Sequence, residues 1–203
     1  MKMHNRGRLE CTAIIIAGGR STRMGRDKRL LRLGGESFLE RMLAIASGFA
    51  GEVILSLADE EQAGKVPAGR FRIVYDESPG KGPLYGLISA AKHAKFDVLA
   101  VMPVDSPLVD PELYTLLTEE VHGYEAAVPV VNKFPEPLHA VYIKNAIIRR
   151  CGEEIRSMNH LLKLLNVNFV PEEKIRGAGI SMMSFVNVNT PEEYERLRET
   201  ECM

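Results

Sequence analysis

The sequence has no tryptophan, few cysteines and no long apolar run. Its 203 residues include only three cysteines (Cys11, Cys151 and Cys202), and none belongs to a C-x-x-C pair. That spacing argues against a disulfide framework or a cysteine-based zinc site, and it favours a reducing, cytoplasmic setting. The longest apolar run, Ala13–Ala17, is far shorter than the roughly 18–20 residues that a membrane span needs. The polar, basic segment Met1–Glu10 does not resemble a secretory signal.

The chain also lacks a dominant charge. Its 26 basic and 27 acidic residues give a net charge of −1. A nucleic-acid-binding protein that relies on a basic surface, or a protein that binds anionic membranes, would carry a clear positive excess. We therefore expect neither nucleic acid nor membrane as a partner.

Short β-branched runs alternate with longer periodic segments along the chain. The predicted strands are Thr12–Ala17, Val53–Leu57, Arg70–Tyr75, Asp97–Met102, Ala126–Val131, Leu138–Ile143, Val167–Val170 and Ser184–Val188. Helices are predicted from Phe38 to about Ala50, from Asp59, over Leu84–Lys95, from Asp110, over Asn145–Leu165 with a break at Gly152, and from Thr190. This alternation predicts a single-domain, Rossmann-like three-layer α/β/α sandwich. Its sheet is expected to be mostly parallel, with a small mixed or antiparallel part in the second half.

A glycine-rich loop follows the first predicted strand, where open α/β sheets bind their ligands. Gly18 and Gly19 allow backbone N–H groups to approach an anion closely. The loop also carries four cations: Arg20, Arg23, Arg26 and Lys28. The glycine pair alone favours a tight turn beside a solvated basic surface, but the cations and the position after the strand favour phosphate binding. The loop matches neither the Walker A pattern nor G-x-G-x-x-G.

A carboxylate is expected at the same edge of the sheet. Asp105 comes just after the hydrophobic run Val98–Met102. A carboxylate in that position can hold Mg²⁺ together with substrate phosphates, and it can equally cap the turn before Pro107. The residues by themselves leave both interpretations open.

Five segments resemble the molybdenum cofactor guanylyltransferases (the MobA family) of the nucleotidyltransferase superfamily. The first is the loop Ala17-Gly18-Gly19-x-Ser21-x-Arg23-Met24-Gly25-x-Asp27-Lys28. The others are Gly82-Pro83-Leu84-x-Gly86-Leu87, Pro103-Val104-Asp105-Ser106-Pro107, Pro137-Leu138-His139-Ala140-Val141-Tyr142 and Phe185–Glu193. The resemblance covers residues 10–203 as one nucleotidyltransferase domain. It leaves residues 1–9 as a natural extension or a cloning remnant.

The resemblance implies a cytoplasmic, Mg²⁺-dependent enzyme that transfers GMP from GTP to molybdopterin and releases pyrophosphate. It implies catalytic roles for Arg23, Lys28 and Asp105, with Asp105 as the metal ligand. The nucleotide-binding residues that it implies are Ile16, Ala17, Gly18, Gly19, Arg23, Lys28, Asp76 and Asp105. Those on the pterin side are Gly82, Pro83, Leu84, Asn187 and Asn189. GTP and molybdopterin are the expected partners, with other cofactor-biosynthesis or acceptor proteins as further candidates.

Other functions of the same superfamily stay open. Relatives often carry an asparagine in the turn after the second strand, where this chain has Ser56-Leu57-Ala58-Asp59. Backbone groups would then read the base, or the preferred nucleotide differs. Gly18 favours the guanylyl branch, because related cytidylyltransferases usually carry alanine there. The alternative acceptors are a cobinamide phosphate, a sugar phosphate or methylerythritol phosphate, and a non-catalytic nucleotide-binding module is the alternative of another class.

Several residues near the expected site have structural interpretations as well. Thr190 and Glu193 form a predicted capping box for the last helix, whereas Asn187 and Asn189 are expected to face one side at a strand end. His139 lies in an apolar strand, where a lone histidine is usually packed and hydrogen-bonded, so we assign it no chemistry.

Overall fold

The computed structural model describes residues 7–19, 24–150 and 154–201. The strands are β1 (Leu9–Ile16), β2 (Arg32–Leu33), β3 (Glu36–Ser37), β4 (Ala50–Leu57), β5 (Arg72–Tyr75), β6 (Val98–Pro103), β7 (Ala126–Val131), β8 (Phe134–Pro135), β9 (Ala140–Ile143) and β10 (Val167–Pro171). The helices are α1 (Phe38–Phe49), α2 (Pro83–His93), α3 (Glu112–Glu120), α4 (Lys144–Arg149), α5 (Met158–Leu164), α6 (Glu172–Gly177) and α7 (Pro191–Glu201).

The main sheet has the order β10-β7-β9-β6-β1-β4-β5. β4 and β6 flank β1 in parallel, β5 extends β4 in parallel, and β10 pairs in parallel with β7. β9 runs antiparallel between β6 and β7, and the short β8 pairs antiparallel with β7. The predicted mostly parallel sheet, with its mixed part in the second half, is confirmed.

Helices cover both faces of this sheet because successive side chains of the central strands point to opposite sides. In β1, Ala13 and Ile15 pack with α1, α3 and α6, whereas Ile14 packs with α2, α4 and α5. Helix α7 and the β2–β3 hairpin share a third, smaller cluster that includes Phe38 and Val188. The three-layer architecture therefore follows from the alternation in the strands.

Local sequence signals fix the helix ends that border the site. Ser37 and Glu40 form a capping box at the start of α1. At α7, the backbone N–H of Glu193 donates to Thr190 Oγ1, and that of Thr190 donates to the Glu193 carboxylate. The capping box predicted for the last helix is confirmed.

Two local predictions differ from the structure. The segment predicted as strand Ser184–Val188 is a 3₁₀ turn, Met182–Phe185, followed by extended chain. Its polar groups bond the turn after β6 instead of a neighbouring strand: Val188 N donates to Asp105 O, and Asp110 N donates to Ser184 Oγ. The predicted helix from Asp59 is only a 3₁₀ turn, Glu61–Lys65. The region 145–165 was predicted as helical with an interruption, and it contains the two helices α4 and α5. Gly152, the predicted break, lies outside the described residues.

The short elements that were missed are helix α6, the β2–β3 hairpin and strand β8. Among the described residues, no helix combines the length and the apolar character needed to cross a membrane.

Candidate active site

The carboxyl ends of the central strands meet at one edge of the sheet. The backbone pairing continues past the last strand residues, since Ala17 N donates to Ser56 O and Val104 N donates to Ile16 O. Asp76 N likewise donates to Leu57 O, at 2.9 Å. The residues after β1, β4, β5 and β6 are therefore held side by side.

A pocket of about 570 Å³ opens at this edge. Its walls come from the strand ends, from the turn after β5 and from the start of α2. The lining residues that the sequence predicted are Ile16, Ala17, Gly18, Gly19, Lys28, Asp76, Gly82, Pro83, Asp105 and Asn189. The pocket does not separate nucleotide residues from pterin residues, because Gly82 and Pro83 lie on the same walls as Gly18 and Asp76.

The pocket wall between β1 and β4 contains glycines at positions where a side chain would not fit. A Cβ atom on Gly18 would stand 2.8 Å from the backbone nitrogen of Ala58. A Cβ on Gly86, in α2, would stand 2.7 Å from Ser56 Oγ. Glycine at both positions lets β1, β4 and α2 approach closely.

A buried arginine supports the Ala58 side of the pocket. Arg29 is 5% exposed, and its guanidinium bonds the Asp27 carboxylate through two nitrogens, at 2.9 and 2.6 Å. It also donates to the backbone oxygen of Gln62, whose side-chain oxygen accepts from Ala58 N. Burial opposes ionisation of Asp27, but the hydrogen bonds and charge of Arg29 outweigh it and lower the pKa of the carboxyl.

The opposite side of the pocket is built from charged and polar side chains. Lys28 Nζ lies 2.7 Å from Asp105 Oδ2 and 2.7 Å from Asn189 Oδ1. The Lys28 and Asp105 side chains are 15% and 20% exposed, so water screens their attraction only in part. We call Lys28, Asp105 and Asn189 the polar cluster.

The polar cluster brings together three segments that lie far apart in the sequence. Lys28 follows the glycine loop, Asp105 follows β6, and Asn189 precedes α7. The cationic turn and the acid that the sequence placed at the sheet edge therefore meet at one end of the pocket.

Asp76 lies on the pocket wall after β5. Burial, with a smaller contribution from the neighbouring Glu77 charge, raises the pKa of its carboxyl, although a hydrogen bond from Ser78 N acts in the other direction. A partly buried carboxylate with few hydrogen-bond donors from the protein is suited to accept hydrogen bonds from a ligand.

Among the described residues, two predicted site residues do not line this pocket. Leu84 is 1% exposed, and its side chain packs in the core under α2, so its assignment to the pterin side stays a prediction. Asn187 Oδ1 accepts a hydrogen bond from Ser106 Oγ and does not line the pocket, whereas Asn189 Oδ1 accepts from Lys28. Arg23 lies outside the described residues.

The sequence interpretation missed two residues that support the site, Arg29 and Gln62. Arg29 lies only two positions after Asp27, and its ion pair with that carboxylate is formed within the turn of residues 27–30. Gln62 supplies an amide next to Ala58, at the turn where relatives often carry an asparagine. Because Gln62 lies four residues after Ala58 in the sequence, the local pattern does not indicate that its side chain bonds Ala58 N.

The donor set for a metal is small. No group of three or more His, Cys, Asp or Glu side chains suited to a metal occurs among the described residues. Asp105 supplies a carboxylate, and Asn189 an amide oxygen, at the pocket. Mg²⁺ usually takes one or two protein carboxylates and completes its shell with water and substrate phosphates, so this set fits Mg²⁺ bound together with a nucleotide.

Comparison with protein families gives a match over most of the chain. The model of the family described as "MobA-like NTP transferase domain" matches residues 13–177. This range includes the glycine loop, Asp105 and every other residue that lines the pocket except Asn189.

Individual relatives cover nearly the full length. A protein of Pelotomaculum thermopropionicum, named probable molybdenum cofactor guanylyltransferase, is 37% identical over 94% of this chain and 93% of its own length. A Bacillus cereus protein of the same name is 36% identical over 89% of this chain and 92% of its own. The crystal structure of molybdopterin-guanine dinucleotide biosynthesis protein A from Archaeoglobus fulgidus superimposes with a TM-score of 0.81 at 30% identity, covering 94% of this chain and 98% of that one.

Proposed function

This chain belongs to the MobA-like NTP transferase family and is a nucleotidyltransferase, and we propose that it transfers GMP from GTP to molybdopterin. The proposed product is the guanine dinucleotide form of the cofactor, and the second product is pyrophosphate. The names of the relatives and the pocket at the sheet edge support the proposal. A cytoplasmic location is part of it, because GTP is drawn from the cytoplasmic pool.

The chemistry requires one bond to form and one to break. An oxygen of the terminal phosphate of molybdopterin attacks the α-phosphorus of GTP, and the bond from that phosphorus to the bridging α–β oxygen breaks. The bonding electrons leave with pyrophosphate. A phosphate monoester loses its second proton with a pKa of about 6, so the nucleophile is ionised near neutral pH and the enzyme needs no general base.

The polar cluster is the observation that carries the proposal. Its ammonium group lies against a carboxylate and an amide oxygen at one end of a pocket large enough for a nucleotide. A fixed cation at that point stabilises the charge that develops on the α-phosphate and on the departing pyrophosphate. Catalysis then rests on positioning and charge, as in other phosphoryl transfers.

The glycine loop supplies the second element of the proposal. Ala17, Gly18 and Gly19 present backbone to the pocket, which suits the triphosphate. We propose that Arg23, with Lys28, neutralises the phosphates. Mg²⁺ held by Asp105 and Asn189 would supply charge neutralisation between phosphate oxygens.

The remaining lining residues are assigned to the rest of the two substrates. Asp76 would accept hydrogen bonds from the nucleoside, and Gly82 and Pro83 would contact substrate from the start of α2. Leu138 and Asn189 line the same pocket, and Asn189 is one of the residues that the resemblance assigns to the pterin side, so we propose that molybdopterin binds beside them.

The test is a panel of substrates. Purified enzyme is incubated with GTP, CTP, ATP or UTP, with molybdopterin, cobinamide phosphate or methylerythritol phosphate as acceptor, and with or without Mg²⁺. Mass spectrometry of the products and release of pyrophosphate should select GTP with molybdopterin. A product with CTP, or with another acceptor, would overturn the proposal in favour of that enzyme. Nucleotide binding without turnover of any pair would favour the non-catalytic module.

A further inference from the structure

A chain of buried polar side chains lies behind Asp105 and is not used by the proposed chemistry. Ser106 Oγ bonds Asn187 Oδ1, and His139 Nε2 lies 3.0 Å from Ser106 Oγ. Ser106 and His139 are 0% and 1% exposed. Because neither Ser106 nor His139 can reach a substrate in the pocket, Ser106 is excluded as a nucleophile.

The direction of each hydrogen bond in this chain can be derived. The amide oxygen of Asn187 can only accept, so the single hydroxyl proton of Ser106 is donated to it. Ser106 Oγ must then accept from His139, which fixes a proton on Nε2 of the ring. Nδ1 makes no hydrogen bond with any described residue and lies 3.7 Å from Glu136 Oε2.

The chain joins two of the three segments that carry the polar cluster, those of Asp105 and Asn189, to the residue before β9. Ser106 directly follows Asp105, and Asn187 lies two residues before Asn189. Val188 N also donates to Asp105 O, at 2.9 Å, and the edge of the His139 ring packs on Phe185. We call residues 185–189 the closing segment. They position Asn189 so that its Oδ1 accepts a hydrogen bond from Lys28 Nζ.

We propose that His139, acting through Ser106 and Asn187, is a positioning residue that holds the closing segment against the turn of Asp105. The inference rests on the proposed function, since it assigns the role to that same site. Without the His139 hydrogen bond, Ser106 loses the donor that orients its hydroxyl toward Asn187. Asn189 and Asp105 would then no longer reach Lys28 together.

The test compares His139→Phe, which keeps an aromatic ring against Phe185, with His139→Gln, whose side-chain N–H₂ can replace Nε2–H. Tyr114→Phe is the matched control, because it deletes another buried hydrogen bond, from the Tyr114 hydroxyl to Val101 O, away from the pocket. Partners that orient site residues typically contribute about 10–100-fold to activity. We expect kcat of His139→Phe to fall by about that factor with KM for GTP little changed, and His139→Gln to recover most of it. Tyr114→Phe should keep its kcat and lower Tm by about 2–4 °C.

Hydrogen exchange of the closing segment gives a readout that needs no turnover. In His139→Phe, the amides of residues 185–189 should exchange about tenfold faster, the equivalent of one lost buried hydrogen bond. In His139→Gln and Tyr114→Phe they should exchange as in the wild type. If the wild-type enzyme makes no product with any substrate pair, the proposed function fails, and the exchange data alone decide whether His139 holds the segment.

Two results would overturn the inference. One is a His139→Phe enzyme with wild-type kcat or wild-type exchange in the closing segment. The other is a His139→Gln enzyme as impaired as His139→Phe, which would mean that the hydrogen bond is not the cause. If His139→Phe does not fold, Ser106→Ala carries the same expectations, because it removes the hydroxyl that joins His139 to Asn187.

Discussion

The two sides of the pocket are built on opposite principles. The wall between β1, β4 and α2 depends on missing side chains, since a methyl group on Gly18 or Gly86 would collide with its neighbour. The opposite side depends on side chains that are present, where Lys28 holds Asp105 and Asn189 at 2.7 Å. The first offers backbone and shape to a ligand, and the second offers charge.

This difference predicts how each side fails. On the glycine wall, formed around Gly18 and Gly86, a substitution at Gly18 presses against the backbone of Ala58, so stability and binding should change together. In the polar cluster a substitution removes charge from a partly exposed group, so turnover should fall while the fold persists. Measurements that separate stability from turnover therefore test the comparison directly.

The largest effect is expected in the polar cluster. Asp105→Ala and Lys28→Ala should each lower kcat by about 10²–10³-fold, because each removes a charged group aimed at the phosphates. Circular dichroism and thermal unfolding should remain close to wild type. Lys163→Ala, at an exposed lysine in α5, is the control for loss of one positive charge. Near-wild-type turnover of both cluster variants would remove the basis of the proposed mechanism.

A substitution on the glycine wall should lower the stability of the fold. In Gly18→Ala the new methyl group meets the backbone of Ala58, which cannot rotate away. We expect the free energy of unfolding to fall by about 1–3 kcal/mol, with weaker GTP binding. Gly19→Ala is the matched control for stability, since its methyl group would meet no atom of the described residues within 4 Å, its chain neighbours apart. Denaturant unfolding measures both, and equal stability of the two variants would contradict the close approach of β1 and β4.

The smallest effect concerns Asp76, which lies on the glycine side but carries a charge. Because its folded pKa is raised, the ionised carboxylate opposes folding above that pKa, and the cost disappears as the pH falls below the unfolded value of about 3.9. Asp76→Asn should therefore be slightly more stable than wild type at pH 7, with the difference vanishing on acidification. GTP affinity, measured by calorimetry, should decrease. A variant that is less stable at pH 7 would show that the carboxylate holds the fold and not a ligand.

Much of the fold could be predicted from local sequence. Apolar strands such as Ala13–Ile16 and the capping residues Thr190 and Glu193 act over a few positions, so the chain itself displays them. The wrong predictions lie where contacts between residues far apart in the sequence determine the local structure. The 185–188 segment is extended and β-branched, but its backbone bonds the Asp105 turn, and this competes with pairing in the sheet.

In the candidate site, too, some features could be predicted from local sequence and others could not. The glycine loop and Asp105 could be found because strand ends at one edge of a parallel sheet converge on ligands. The packing of Leu84 inward and the bond between Asn187 and Ser106 could not, because each depends on which face of a segment meets the core. Arg29 and Gln62 support Ala58 through contacts that no spacing rule describes.

The sequence by itself determined the order of strands and helices, the glycine loop and the presence of an acid at the sheet edge, since periodicity and turn chemistry are local properties. Only the tertiary structure decided which polar groups meet. Lys28 and Asp105 are 77 positions apart, and Lys28 and Asn189 are 161 apart. Their contact exists because the sheet order brings β1 beside β6 and the closing segment crosses the end of β6.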